Sequence, residues 1–245
     1  MNNKPIIYAH RGSSAYAPEN TEAAFVRALE MQAGGIEIDV HLSKDGRVVI
    51  CHDEKVDRVS NGTGYIKDLT LKELKTLDFG AWFSDEFIGE SILTLEELLE
   101  MLSDWDGILN IELKQGPLQY EGLEAKVVNI LHKLKRVDST IISSFNHYSL
   151  RAIKELEPSL KIGLLYVGGL VEPWKYAKYV GAEAIHPVFY SLVPSVIHEC
   201  RENGIIVNAW TADKPEHIQA LALGGVHGII TNVPDVAIKL TSQML

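Results

Sequence analysis

Short apolar runs rich in Ile and Val alternate along the chain with stretches whose apolar residues recur at helical spacing. Such short continuous runs are typical of strands buried on both faces of a sheet. The predicted strands are residues 5–10, 34–40, 107–113, 139–145, 161–167, 182–188, 204–210 and 227–232. The predicted helices lie within residues 21–32, 94–105, 120–136, 147–157, 172–181, 194–204, 214–225 and 233–245. Thr21 is a plausible N-cap, and Thr94 with Glu97 forms a capping-box pattern.

Eight strands, each followed by a helix, in 245 residues predict an α/β fold, a (β/α)₈ TIM barrel. A doubly wound open sheet is the structural alternative, and it predicts a single crevice. Here polar residues end most of the strands: Arg11, Asp39, Lys114, Ser144, His186, Trp210 and Asn232. In a barrel these strand ends meet on one face, where barrel enzymes place their active sites.

One segment interrupts the alternation after the second strand. SKDG (43–46) predicts a hairpin turn, and NGTG (61–64) marks another turn. The stretch LTLKELKTLDFG predicts one short helix, and four aromatic residues, Phe79, Trp82, Phe83 and Phe87, require burial. We interpret residues 54–91 as an insertion between strand two and its helix, packed over one side of the barrel mouth. The whole chain, residues 1–245, is predicted to be one domain that includes this insertion.

Composition narrows the possible partners. The chain is 46% hydrophobic and 23% charged, as soluble globular proteins are. Its net charge of −10, with Lys and Arg scattered, argues against a nucleic-acid partner. No apolar run is long enough to span a membrane, and the first residues do not resemble a signal peptide. We therefore expect a cytoplasmic monomer or small homo-oligomer with Cys51 and Cys200 reduced.

Three acids at strand ends are candidate metal ligands. Glu37 and Asp39 are two residues apart, so their side chains point to the same face of the strand. Two close carboxylates resist ionisation together, and a divalent cation removes that conflict. Glu112 from the next parallel strand completes a three-oxygen set that favours Mg²⁺ or Ca²⁺. The alternative is a structural network in which these acids pair with Lys114 and Arg11.

Two histidines at strand ends are candidate proton carriers. His10 and His52 each lie beside a charged residue, and together they suit an acid and a base on opposite sides of a phosphorus centre. A single histidine is more often structural. That structural interpretation is given to those on helices, loops or surface positions: His41, His132, His147, His198 and His217. His186 and His227 lie near later strands, and their role stays open.

The remaining candidates bind an anion or support the first loop. Arg11 offers a planar fork for phosphate, and Lys114 adds a point charge. Glu19 and Asn20 either approach the site or simply start a helix. Trp210 either forms the floor of a pocket for an alcohol or packs in the core.

A series of motifs extends over residues 6–236: HRG and PENT, EIDV, SKDGRVVICHD, IELK, NAWT and GIITNVPD. In this order they resemble the glycerophosphodiester phosphodiesterase family. The resemblance implies a TIM barrel with a small insertion after the second strand, and hydrolysis of glycerophosphodiesters to sn-glycerol 3-phosphate and an alcohol. It implies one divalent cation (Mg²⁺ or Ca²⁺, with Mn²⁺ possible). It also implies two alternative routes: attack by a glycerol hydroxyl to give a cyclic phosphate, or direct attack by water.

The resemblance also implies a role for each matching residue. His10 and His52 are the acid–base pair; Glu37, Asp39 and Glu112 hold the cation; Arg11 and Lys114 contact phosphate; Glu19 and Asn20 share the first loop; Asp53 positions His52. Leu93, His227 and Asn232 depart from the family pattern. We place none of these three in the core site and expect them to affect substrate preference instead.

Two other functions remain as alternatives. A phospholipase of the sphingomyelinase-D-like type, acting on intact lipids, shares the two-histidine barrel but needs membrane-facing apolar loops. A non-catalytic sensor of a phosphate ligand is the other, although such proteins normally lose a histidine or a metal carboxylate.

Overall fold

The chain folds into a closed barrel of parallel strands surrounded by helices, as seen in a computed structural model that describes residues 4–244. The first three residues and the last one, which the predicted domain and final helix include, lie outside the described residues. The strands are β1 (Ile6–His10), β2 (Gly35–Leu42), β3 (Val48–Ile50), β4 (Ile108–Leu113), β5 (Thr140–Ser144), β6 (Lys161–Tyr166), β7 (Ala184–Pro187), β8 (Ile206–Ala209) and β9 (Gly228–Thr231). The predicted (β/α)₈ barrel is confirmed, and the open sheet is excluded by the closure of β1 onto both β2 and β9.

β3 is an additional strand outside the barrel. It pairs antiparallel with the end of β2, and the backbone of Ser43 donates to the carbonyl of Arg47 across the predicted hairpin turn. Parallel strands need long crossovers, whereas an antiparallel pair closes with a short turn. β3 therefore extends β2 beyond the barrel and carries His52 back to the mouth.

Helices cover the outside of the barrel and confirm the predicted stretches. They are α1 (Glu22–Glu30), α2 (Leu71–Leu74), α3 (Leu95–Met101), α4 (Leu123–Lys133), α5 (His147–Leu156), α6 (Pro173–Val180), α7 (Pro194–Glu202), α8 (Pro215–Gly224) and α9 (Pro234–Ser242). Thr21 caps α1 by accepting from the backbone of Ala24, and Thr94 and Glu97 form the predicted capping box. Each cap satisfies donors that a helix start otherwise leaves unpaired.

The segment between β3 and α3 packs on the rim of the barrel mouth. Its small apolar core joins strand residues to insertion residues: Val49, Cys51, Val56, Val59, Ile66, Leu74, Phe79 and Ile92. Phe87 packs against Ala17 and Ala24 in the first loop and first helix. Trp82 keeps 40% of its surface exposed, so the expected burial of all four aromatic residues is wrong for this one.

Neither cysteine is paired. Cys51 and Cys200 are buried free thiols, and burial raises the pKa of Cys51 to about 12. Across residues 4–244, every helix is too short or too polar to cross a bilayer.

A close contact at the first strand pair gives a test of the barrel. Gly35 lies opposite Tyr8, and a Cβ there would come within 2.3 Å of the Tyr8 ring. Gly35→Ala is expected to destabilise the protein by about 1–3 kcal/mol, because the buried Tyr8 ring, which also lies close to Gly228, would have to shift away from the added methyl group. Gly116→Ala is the matched control, since nothing lies within 4 Å of its added Cβ. Equal urea midpoints for the two variants, measured by circular dichroism, would contradict the packing of this strand pair.

Candidate active site

The carboxyl ends of β1, β2 and β4 bring the predicted acids and His10 together. These strands are neighbours, with His10 opposite Glu37 and Asp39 opposite Glu112 in the registers. Glu37, Asp39 and Glu112 each offer an oxygen within 4.8 Å of the others. His10 Nε2 lies 3.8 Å from Glu37 Oε2. The polar strand ends thus form one cluster at the barrel mouth.

The three carboxyl groups differ strongly in protonation because they share a buried space. Burial, reinforced by Asp39 and Glu112, raises the pKa of Glu37 well above its usual range. Burial likewise raises the pKa of Glu112 to about 7. Burial also acts to raise the pKa of Asp39, but Lys114 and Arg11 outweigh it and hold that pKa well below the usual range. Asp39 is therefore the carboxylate that stays charged.

Lys114 and Arg11 compensate the charge of this cluster. Lys114 Nζ lies 3.0 Å from Asp39 Oδ1 and 2.8 Å from Glu112 Oε1. Arg11 Nε lies 3.4 Å from Asp39 Oδ2, and its backbone N–H donates to Glu37 Oε2 at 3.1 Å. The predicted structural network thus exists, and its members are the same residues predicted to bind a cation and a phosphate.

The first loop delivers Arg11 through an unusual backbone. Arg11 and Asn20 adopt left-handed φ values of 56° and 60°, and Gly12 between them has φ 79°. A Cβ on Gly12 would lie 2.7 Å from the Ala24 backbone, so glycine is required there. Asn20 Nδ2 donates to Asp39 Oδ2 at 3.0 Å, and Glu19 accepts from Arg11 Nη1 at 2.9 Å. Both residues therefore reach the site and are not merely a helix start.

His52 is held by its neighbour. His52 Nδ1 lies 2.7 Å from Asp53 Oδ1, and Asp53 in turn accepts from Arg58 Nε at 2.7 Å. The Arg58 hydrogen bond is the main reason that the pKa of Asp53 falls to about 2. Arg58 also donates two bonds of 2.8 Å to Glu19 and so ties the insertion to the first loop. Sequence reasoning missed Arg58, because nothing local marks an arginine in an insertion as part of a distant mouth.

His10 has a different partner, and this overturns one expectation. Its Nδ1 lies 2.7 Å from Asn232 Oδ1 at the end of β9. The prediction that Asn232 stays outside the core site is wrong, because β9 is the direct neighbour of β1 in the closed barrel. The position of Asn232 among the polar strand ends was the sequence feature that could have indicated this contact. Burial lowers the pKa of His10 to about 4 and also lowers the pKa of His52.

His41 corrects a second expectation. It was predicted to occupy a surface, loop or helix position, but it is fully buried in β2. Its Nδ1 contacts the Tyr120 hydroxyl at 2.9 Å, and its Nε2 contacts the backbone carbonyl of His52 at 3.2 Å. It therefore supports the segment that carries His52. His186 is also buried, and its Nε2 contacts Asn208 Nδ2 at 3.0 Å inside the barrel.

Two adjoining cavities open at the mouth. A pocket of about 180 Å³ is lined by His10, Arg11, Glu37 and Trp210, among others. A groove of about 590 Å³ is lined by Asp53, Lys55, Tyr65 and Pro117, among others. His52, Glu112, Lys114 and Phe145 line both. Trp210 donates from Nε1 to the His186 carbonyl at 2.7 Å and also lines the small pocket, so this strand-end residue lies at the mouth. A separate cavity of about 740 Å³, lined by Lys4, Tyr8 and Arg201 among others, lies at the opposite ends of the strands, away from this cluster.

The three carboxyl groups suit a hard divalent cation. They supply only oxygen ligands, as Mg²⁺ and Ca²⁺ prefer, and two of them have raised pKa values that a nearby positive charge would lower. The donor set therefore fits such an ion.

Comparisons with known proteins agree with this arrangement. A family described as the glycerophosphoryl diester phosphodiesterase family matches residues 10–236. A glycerophosphodiester phosphodiesterase of Caldanaerobacter subterraneus subsp. tengcongensis is 47% identical over 98% of this chain and 99% of its own. The structure of an Oleispira antarctica phosphodiesterase, in complex with the product sn-glycerol-3-phosphate, is 31% identical over 97% of each chain, with a TM-score of 0.90. A glycerophosphodiester phosphodiesterase structure from Agrobacterium tumefaciens is 29% identical, with a TM-score of 0.84, and the match covers 96% of this chain and 99% of that one.

The match to the family spans nearly the whole barrel and includes every strand end that contributes to the mouth. The chain belongs to the glycerophosphoryl diester phosphodiesterase family.

Proposed function

We propose that this enzyme hydrolyses glycerophosphodiesters to sn-glycerol 3-phosphate and an alcohol, using one divalent cation and two histidines. The observation that best supports this proposal is that two histidines, three carboxyl groups and two positively charged side chains lie together at the barrel mouth. A relative bound to sn-glycerol-3-phosphate supports the glycerol phosphate part of the substrate. The other product, the alcohol, would leave through the larger groove.

Arg11 and Lys114 are the proposed phosphate contacts. Both line the small pocket while being partly engaged by buried acids, so their charged groups are fixed before substrate arrives. Fixed donors aimed at a developing negative charge lower a reaction barrier without needing to reorganise. A phosphodiester at the junction of the two cavities would contact both positively charged side chains, Arg11 and Lys114.

Glu37, Asp39 and Glu112 are the proposed ligands of the cation. A bound divalent ion would stabilise charge on the phosphate oxygens and neutralise these acids. Its binding would require the loss of protons from Glu37 and Glu112, whose pKa values are raised without it. Asn20 would orient Asp39 through its hydrogen bond.

His10 and His52 are the proposed proton carriers. One imidazole accepts the proton of the attacking hydroxyl while the new phosphorus–oxygen bond forms. The other donates a proton to the alcohol oxygen as the old phosphorus–oxygen bond breaks. Asp53 supports His52 in this exchange, with Arg58 fixing the carboxylate.

Removing either histidine tests this assignment. His10→Ala and His52→Ala are each expected to lower kcat by about 10²–10⁴-fold, because each removes a proton carrier. His132→Ala is the matched control, since His132 is half exposed on α4 and pairs with Glu157 away from the mouth. Steady-state release of glycerol phosphate is the measurement. Near-normal turnover in both mouth variants would refute the two-histidine mechanism.

Cation binding has a predictable pH dependence. A carboxyl group with a pKa of about 7 is partly protonated at neutral pH, so cation affinity should rise as the pH increases through that value. Calorimetric titration with Mg²⁺, Ca²⁺ and Mn²⁺ in buffers of different ionisation enthalpy should detect the released protons. Glu112→Gln should weaken binding, whereas Glu54→Gln, an acid outside the cluster, should not. Full activity in a chelator would contradict a required cation.

One observation favours a second candidate, a phospholipase acting on intact lipids. The loop after β6 exposes Val167, Leu170 and Val171, the last of them 91% exposed, on the same face as the mouth. Apolar loops beside a site are the feature that such an enzyme needs.

A substrate panel separates the two candidates. Glycerophosphocholine and glycerophosphoethanolamine should release sn-glycerol 3-phosphate, because the small pocket suits a bare glycerol. Phosphatidylcholine vesicles should give far lower turnover. Comparable rates on vesicles and on glycerophosphocholine would favour the phospholipase.

A further inference from the structure

A chain of hydrogen bonds reaches His10 from two strands away. It begins at Asp213, in the loop after β8, passes through Asn232 at the end of β9 and ends at His10 on β1. These three strands are consecutive neighbours in the barrel. Asp213 Oδ2 accepts from Asn232 Nδ2 at 2.7 Å, and Asn232 Oδ1 lies 2.7 Å from His10 Nδ1.

The donors and acceptors in this series of hydrogen bonds are fixed, because the Asp213 carboxylate at its start can only accept hydrogen bonds. A carboxylate offers acceptors alone, so Asn232 must turn its NH₂ group toward Asp213. The amide oxygen of Asn232 then faces His10, where it also accepts from the Ser14 hydroxyl at 2.7 Å. An amide oxygen cannot donate, so His10 Nδ1 must carry the proton.

The other ring nitrogen of His10 faces the mouth. Nε2 lies toward Glu37, on the side of the pocket that Arg11 and Lys114 also line. A neutral imidazole with its proton on Nδ1 has its lone pair on Nε2. That lone pair is therefore available to a hydroxyl group that enters the pocket.

We propose that Asp213 is a positioning residue that acts through Asn232 to hold His10 in the tautomer protonated on Nδ1. Nε2 then starts the reaction as a proton acceptor, which makes His10 the base of the pair; this part rests on the proposed function. Asp213 never contacts the pocket, and its effect on the reaction passes entirely through the orientation of the Asn232 amide.

Asp213 also has a local role, which a test must leave intact. Its Oδ1 accepts from the backbone N–H of Asn232 at 2.8 Å and from Thr231 Oγ1 at 3.0 Å. Asp213→Asn keeps an oxygen for both contacts and replaces only the acceptor that faces Asn232 Nδ2. Two NH₂ groups would then oppose each other, and rotation of the Asn232 amide removes the conflict. The rotated amide donates to His10 Nδ1, so the proton of the ring moves to Nε2.

The decisive measurement is the ¹⁵N spectrum of histidine-labelled protein without added cation, well above the pKa of a histidine, with the His10 signals assigned by their loss in His10→Gln. The natural protein should have a protonated Nδ1 and an unprotonated Nε2, and Asp213→Asn should reverse this pattern. In parallel, kcat should fall by about 10²-fold, the effect of losing a general base, while KM stays unchanged.

A double variant supplies the rescue. Asp213→Asn combined with Asn232→Asp restores an acceptor toward His10 Nδ1 and a donor from position 213. It should recover the original tautomer and most of the lost kcat, as expected for coupled neighbours. Asp235→Asn is the control, because Asp235 accepts from Tyr16 on the outer surface and does not contact the chain.

Two outcomes would overturn the proposal. One is an unchanged His10 tautomer in Asp213→Asn, whatever the activity. The other is a reversed tautomer with undiminished kcat, which would remove the link to catalysis. The spectrum does not depend on turnover, so the tautomer result stands even if His10→Ala proves fully active and the proposed two-histidine mechanism fails.

Discussion

The buried charge around Asp39 is the constraint on which the mouth depends. Asp39 is 1% exposed, and its carboxylate is compensated by Lys114, Arg11 and the Asn20 amide. A buried charge without partners is strongly unfavourable, so these four side chains have to lie together whenever the barrel closes. Arg11 and Asn20, which both contact Asp39, also have left-handed φ values, so the unusual backbone of the first loop lies at two of the residues that provide this compensation.

This compensation also leaves the site prepared for ligands. The positive charges of Lys114 and Arg11 stabilise the ionised form of Asp39, while the pKa values of Glu37 and Glu112 are raised, which favours their protonated forms. A divalent cation would reverse that balance, ionising the acids and making Lys114 and Arg11 more available to a phosphate. In the proposed mechanism, cation binding would therefore favour anion binding through the same buried groups.

The two histidines are supported in different ways. His52 has a carboxylate directly behind its Nδ1, whereas His10 has an amide there and the carboxylate of Asp213 one residue further away. His52 is supported by its neighbour Asp53, which is fixed by Arg58 of the insertion, whereas His10 is supported by groups that follow the last two strands. Such separate surroundings would allow the two histidines to begin the proposed reaction in different protonation states.

The sequence by itself determined the barrel and most of the mouth. Strand and helix periodicity is a local property, so the eight repeating units could be read directly, and the period of two placed Glu37 and Asp39 on one face. The polar strand ends identified the acids, both proposed catalytic histidines and Lys114, because charges in buried strands require a reason. The tertiary structure decided which side chains support these residues through direct contacts. Asn232 reaches His10 only because the barrel closes its last strand on its first, and Arg58 reaches Glu19 and Asp53 only because the insertion folds back. The burial of His41 likewise follows from the length of β2 beyond the barrel. His10 and Asn232 lie 222 positions apart, and contacts over such a distance leave no local pattern, so closure of the sheet established this one.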